Sequence, residues 1–152
     1  ERRTRLFPVG RLDRDTEGLI LLTNDGRLAQ VVLHPSHGVE REYRVTARGR
    51  ISARALKRLA KGVALADGVT APARVGRARH DTAADTTRFT LTLTEGRKRQ
   101  IRRALEALGH PVLALVRVRM GPIRLGRLAV GSARRLSRSE RKQLQSLLES
   151  KG

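Results

Sequence analysis

Residues 88–94, RFTLTLT, alternate apolar and polar side chains, and this period of two constrains the fold more than any other feature. A strand of this kind buries one face, so it belongs to a sheet with a second layer packed beneath it. Glu42 to Thr46, EYRVT, alternates in the same way. Arg74 to Arg79 reads as another strand, and Val112 to Met120 and Ile123 to Val130 as two more, joined by Gly121-Pro122. Leu6 to Val9 and Gly18 to Thr23 read as short buried strands early in the chain.

Helical signals separate these strands. Asp25 is placed to cap a helix from Arg27 to about His34, which His34-Pro35 ends. Ser52 is placed to cap a basic amphipathic helix running to about Gly62. Glu95-Gly96 turns into a helix from Arg97 to Leu108, where Ile101, Ala104, Leu105 and Leu108 share one face and Gly109 is the stop. Ser137 and Glu140 have the spacing of a capping box for a last helix to about Glu149. Helices and strands mix without strict alternation. That predicts an α+β domain with a mixed, mainly antiparallel central sheet and flanking helices. There are no repeats or low-complexity tracts, and one domain over residues 1–152 is expected. With aromatics at 2%, its core must be built from Leu, Val, Ile and Ala.

The charge narrows the function. Lys and Arg number 33 against 14 acids, a formal net charge of +19, so a polyanionic partner is expected. Nucleic acid is the first choice, because each cation on a phosphate releases condensed counterions. No long apolar span or lipidation signal supports a membrane. The chain has no cysteine, which excludes disulfides and thiolate zinc sites. His34, His37, His80 and His110 lack the spacing of a metal site or a triad. No metal is expected on this pattern, and a cytoplasmic monomer is the default.

Against this basic background stands an acidic loop within VGRLDRDTEGLILLTNDG, residues 9–26. Asp13, Asp15, Glu17 and Gly18 loosely imitate a calcium loop, but the closing Glu would fall at Asn24 and strands, not helices, flank it. Asp15 and Glu17 read as turn residues. Asp13 is harder to treat so, because an acid among cations opposes RNA binding unless it performs chemistry.

GRLDRDTEGLILLTNDG resembles the signature of the pseudouridine synthases that modify small- and large-subunit ribosomal RNA. EREYRV (40–45) is similar to that family's tyrosine-bearing strand, and LTEGRKRQIRRALEALGHPVLALVRVRMGPIRLGRL (93–128) to its third motif and closing strands. The likeness covers nearly the whole chain, with the segments in family order. Arg99 stands where many relatives carry His. The small basic N-terminal RNA-binding domain and first strand of such proteins are absent from this sequence, so the resemblance is to the catalytic domain alone.

The resemblance implies isomerisation of a specific uridine in ribosomal RNA, in which the glycosidic bond breaks, the uracil turns and its carbon 5 rejoins the ribose. It also implies no cofactor. Asp13 is implied as the essential acid, either as nucleophile toward the sugar or as base for a ribose proton. Arg102 is the candidate guanidinium beside it, although RKRQIRR also reads as a solvated face. Tyr43 is implied to stack on the everted base, against its alternative as core packing. Ile101 is the apolar wall in that scheme and ordinary core without it. Arg11 joins the substrate-binding set, and Arg97, Lys98, Arg99 and Arg103 are expected on the RNA backbone. A non-catalytic RNA-binding or ribosome-assembly module is the competing reading. A metal-dependent nuclease lacks the carboxylate cluster.

Overall fold

The computed structural model describes residues 5–150. Its elements run β1 (Phe7–Pro8), β2 (Glu17–Gly18), β3 (Leu22–Thr23), α1 (Gly26–Leu33), a 3-10 turn at Pro35–His37, β4 (Arg41–Arg48) and α2 (Ala53–Lys61). They continue with β5 (Ala64–Leu65), β6 (Gly68–Val69), β7 (Arg74–Val75), β8 (Arg79–Asp81), β9 (Thr86–Leu93), α3 (Gln100–Ala107), β10 (Val112–Met120), β11 (Ile123–Arg124) and α4 (Arg138–Ser150). The main sheet has the order β11-β10-β4-β9-β7, with β8 also on β9 and β2 also on β10. Every pairing in it is antiparallel except β2 with β10, which is parallel. The α+β expectation therefore holds.

The three long strands are the ones whose alternation is plain in the sequence. Register places Tyr43 opposite Leu91 on one side and Arg117 on the other, and Val45 opposite Phe89 and Leu115. These side chains share one face of the sheet. That face packs under α2 and α3 through Leu59, Ile101, Ala104 and Leu105. A second core joins Val9, Leu19 and Leu21 of the N-terminal segment to Ala29 and Val32 of α1, Met120, Ile123 and Leu144 of α4.

Capping chemistry behaves as expected. Asp25 accepts from the backbone N–H groups of Arg27 and Leu28, and Ser52 from Ala55. Ser137 and Glu140 form a reciprocal capping box, the Ser137 N–H donating to Glu140 at 2.7 Å and the Glu140 N–H to the Ser137 hydroxyl at 3.1 Å. Gly109, just past α3, adopts φ +87°, as a left-handed stop requires.

Several boundaries differ from expectation, each for a local reason. The expected strand 74–79 is broken at Gly76, whose backbone lies against Thr90 so closely that a Cβ would overlap the threonine hydroxyl. The expected strand 123–130 ends after Arg124: Leu125 still donates to Val118 O, and Gly126 then turns the chain at φ +56°. The stretch 18–23 divides between two sheets, β2 on β10 and β3 on β1. Helix α3 starts at Gln100 rather than Arg97, since Arg99 sits at φ +51° and the Gln100 side chain accepts from the Arg97 N–H.

Candidate active site

The acidic loop is anchored to the sheet by its own backbone. Gly18 pairs with Arg117, the Leu19 N–H donates to Arg117 O at 2.9 Å, and Arg117 Nε donates back to Leu19 O at 2.9 Å. Gly18 holds φ +114°, and a Cβ there would overlap the Arg117 carbonyl. Glycine is the residue that permits this approach. Before it, a turn closes with the Thr16 N–H on Asp13 O at 2.9 Å.

Docked in this way, the loop faces the N-terminus of α3 across a cavity of about 450 Å³. Cavities of this size hold drug-sized ligands, and a nucleoside falls within that range. Asp13 and Arg11 come from the loop, Tyr43 and Arg41 from β4, Ile101 and Arg102 from α3, and Leu115 and Arg117 from β10. Arg97, Lys98 and Arg99 line the same space from the turn before α3. Four segments far apart in the chain thus supply one concave site. Asp13 is exposed, Tyr43 half-buried, and Ile101 buried in the core as well as lining the cavity.

One expected pairing is corrected. Arg102 meets Asp15, not Asp13: its Nη2 donates to Asp15 O at 2.6 Å and its Nε lies 3.4 Å from Asp15 Oδ1. Arg99 adds two parallel hydrogen bonds to the Asp15 carboxylate, both 2.9 Å. The 13–16 turn and the left-handed backbone of Arg99 bring these groups together. Asp15 is therefore a latch between loop and helix rather than a plain turn residue. The Arg99 hydrogen bonds hold its carboxyl down to about 2, with its own backbone N–H and Arg102 assisting against desolvation. Arg99 is raised above its ordinary value chiefly by Asp15, and the field of Asp13 contributes in the same direction. Arg99 and Asp13 line the same cavity.

The other basic residues divide. Arg103 lies outside the cavity, in a bidentate pair with Asp67 at 2.8 and 3.2 Å. Arg97 donates to Val69 O at 3.1 Å and lies 3.4 Å from Glu95. Glu95 in turn accepts from Ala71 N–H and the Gln100 side chain, tying the turn before α3 to the strand region beneath it. Lys98 and Arg11 are exposed at the mouth.

Two arginines on the floor were not singled out from the sequence. Arg41 is 7% exposed and Arg117 3% exposed. Arg41 donates to Val32 O and Leu33 O, and among the described residues neither forms an ion pair. Burial presses the Arg41 guanidinium below its ordinary value, Tyr43 offsets part of this, and the charge of Arg117 adds to it. The available signal was an arginine at the inward positions of otherwise apolar strands, REYRV and VRVRM. Among the described residues no group of three or more His, Asp or Glu side chains has a metal-binding arrangement, and no helix is long and apolar enough to cross a membrane.

Comparison with known proteins adds a second line of evidence. Residues 1–107 match the family described as RNA pseudouridylate synthase. A ribosomal large subunit pseudouridine synthase B of Bacillus subtilis is 40% identical over 145 residues, covering 95% of this chain and 59% of that protein. An uncharacterised RNA pseudouridine synthase of Mycobacterium leprae is 49% identical over 149 residues, covering 95% and 57%. A crystal structure of a pseudouridylate synthase superposes with a TM-score of 0.80 at 34% identity, covering 91% of this chain and 59% of that one. The chain thus spans a little over half the length of each of these three relatives.

Proposed function

The chain belongs to the RNA pseudouridylate synthase family, and from that premise we propose that it converts a specific uridine of ribosomal RNA to pseudouridine, with Asp13 as the essential acid. The observation that carries the reading is convergence. Asp13, Tyr43 and Ile101, from three distant stretches of sequence, line one cavity of about 450 Å³ in a protein of net charge +19.

In this reading the target nucleotide leaves its helix and its uracil enters the cavity. Stacking on Tyr43 offsets part of the unstacking cost, which is a few kcal/mol. Ile101 closes the apolar side. Asp13 acts on the ribose, as nucleophile at C1′ or as base at C2′. Arg99, held by Asp15, lines the same cavity and brings positive charge to it. Arg102 works one step removed, holding the Asp13 loop through Asp15. Arg11, Lys98 and the outer faces of Arg97 and Arg99 meet RNA phosphates, while Arg103 serves mainly to hold Asp67. The relatives named as ribosomal large subunit synthases point to large-subunit RNA. Such an enzyme works where ribosomes are assembled, in the cytoplasm, and needs no metal or cofactor for this isomerisation.

The test is direct. Unmodified large-subunit ribosomal RNA is incubated with the chain and pseudouridine is mapped chemically; one new site is expected, and none with Asp13→Asn. Full yield from a folded Asp13→Asn protein would remove that residue from the chemistry. Salt-sensitive RNA binding without any product would instead favour the non-catalytic module that the charge alone suggests.

A further inference from the structure

Arg117 presents a problem of charge. Its side chain is 3% exposed, and its Nη2 is buried with no hydrogen-bond partner among the described residues. Only Nε is accounted for, by the 2.9 Å bond to Leu19 O. A guanidinium taken out of water with part of its donor set unspent is costly, and one-sided pairing to a carbonyl does not repay it. The residue also lines the cavity and lies directly across the sheet from Tyr43. A second buried arginine, Arg41, stands two residues before Tyr43 and raises the positive charge of the same floor.

Chemistry supplies a moment at which a charge of the opposite sign arises there. When the C1′–N1 bond breaks, its electron pair stays with the uracil. In one route an Asp13 carboxylate oxygen bonds to C1′ as N1 departs. In the other, Asp13 takes the C2′ proton, a C1′=C2′ double bond forms, and N1 departs. Both routes leave a detached uracil with one negative charge shared among N1, O2 and O4. The charge is consumed when C5 bonds to C1′: in the first route the Asp13 oxygen–C1′ bond breaks and the carboxylate departs, in the second C2′ regains its proton from Asp13. The C5 proton is then lost and N1 is protonated.

We propose that Arg117 is a catalytic residue of this reaction, its free Nη2 donating to a uracil carbonyl and stabilising the detached uracil anion. The inference rests on the functional reading above and gives the buried donor a ligand. A preorganised donor aimed at developing charge in a dry site stabilises the transition state more than the ground state. The uracil ring adds a geometric reason. Turning it by half a revolution about its N3–C6 axis puts C5 where N1 was and exchanges the places of O2 and O4. One fixed donor therefore meets a carbonyl both before and after the turn, so Arg117 need not move while the ring does.

The experiment uses the chain and a short RNA containing the mapped target, with uridine, 2-thiouridine or 4-thiouridine at that position. Single-turnover conversion and RNA affinity are measured for the wild type, Arg117→Met and Arg117→Lys. Removing such a donor is expected to slow conversion about 100-fold or more with RNA affinity nearly unchanged. Sulfur at the contacted carbonyl should slow the wild type beyond its effect on Arg117→Met, because sulfur is the poorer acceptor only where a donor awaits it. Arg117→Lys, which keeps the charge, should recover part of the rate. A residue that merely fastens Leu19 would show no such coupling to a substrate atom. Undiminished conversion by Arg117→Met overturns the inference, as does a defect wholly in RNA affinity or an equal thio effect in both proteins. If Arg117→Met does not fold, Arg117→Gln carries the comparison: its amide nitrogen stands where Arg117 Nε donates to Leu19 O but no Nη2 remains, and an undiminished thio effect in it is equally fatal. A wild-type chain that makes no pseudouridine overturns the functional reading itself, which separates the two failures.

Discussion

At the rim of the cavity Arg99 meets a carboxylate through two donors, and Arg103 does the same just beyond it; on the floor Arg41 and Arg117 meet only backbone carbonyls. The rim pairs are solvated, so each contributes little to stability, and their effect is to fix which loop lies against which helix. The floor arginines are buried among apolar strands and, among the described residues, bring charge without a countercharge. Identical side chains thus serve as fasteners in one place and as unspent electrostatic potential in the other. Asp13 lies between the two regions, lining the cavity but held by neither set.

The most severe way to break this comparison is to neutralise that acid. Asp13→Asn keeps the side-chain volume and should reduce conversion of uridine by about 10²- to 10⁴-fold or more, the range for loss of a positioned acid or base. Thermal unfolding should be unchanged, since Asp13 is exposed. A variant with normal conversion would mean that the cavity works through another group.

Next in size is the joint between loop and floor. Gly18→Ala forces an alanine to φ +114° and drives its Cβ into the Arg117 carbonyl. Strain and overpacking each cost about 1–3 kcal/mol, so urea denaturation should show a loss of about 2–6 kcal/mol. A loss below about 1 kcal/mol would show that the loop can lift from β10 with little penalty.

The sequence exposed the floor strands better than the joints. The alternation in 42–46 and 88–94 and the apolar run of 112–120 marked all three long strands, because a half-buried strand writes its face into the sequence every second residue. The capping residues Asp25, Ser52 and Ser137 were equally plain, since their chemistry is local. Two-residue strands such as β2 carry no periodicity, and their position follows from tertiary docking on β10. The candidate site was legible only as a list of residues that share a cavity, Asp13, Tyr43, Ile101 and Arg102. Its pairing was not. Whether Arg102 reaches Asp13 or Asp15 depends on one tight turn and on the left-handed backbone of Arg99, neither of which spacing reveals. Arg41 and Arg117 were hidden for a related reason: in so basic a chain, an arginine at a buried position looks like any other.

A smaller effect should come from opening the rim. Asp15→Asn removes the charge that engages Arg99 and Arg102. Each guanidinium released to RNA phosphate should steepen the dependence of log affinity on log salt by about 0.7–0.9. Binding at low salt should therefore strengthen while conversion falls by about tenfold, because the Asp13 loop loses its tie to α3. If affinity, salt slope and conversion all stay at wild-type values, the latch is ornamental and the contrast between rim and floor fails.

The gentlest probe is pH. Asp15 is held down to about 2 from an ordinary 3.8, first by the Arg99 hydrogen bonds. A carboxylate depressed on folding contributes stability above its unfolded value, and that contribution disappears as pH falls through the folded one. The latch should therefore be complete above about pH 4 and be lost between there and about pH 2. Carboxyl-carbon NMR of Asp15 over that range should give a midpoint near the lower limit in the wild type. Arg99→Ala should move it back toward the ordinary value, and Arg102→Ala by less, because Arg102 contributes the smaller share to the same carboxylate. An Arg102→Ala shift larger than that of Arg99→Ala would reverse the division of labour at the rim, making the helix arginine rather than the turn arginine the one that holds the loop.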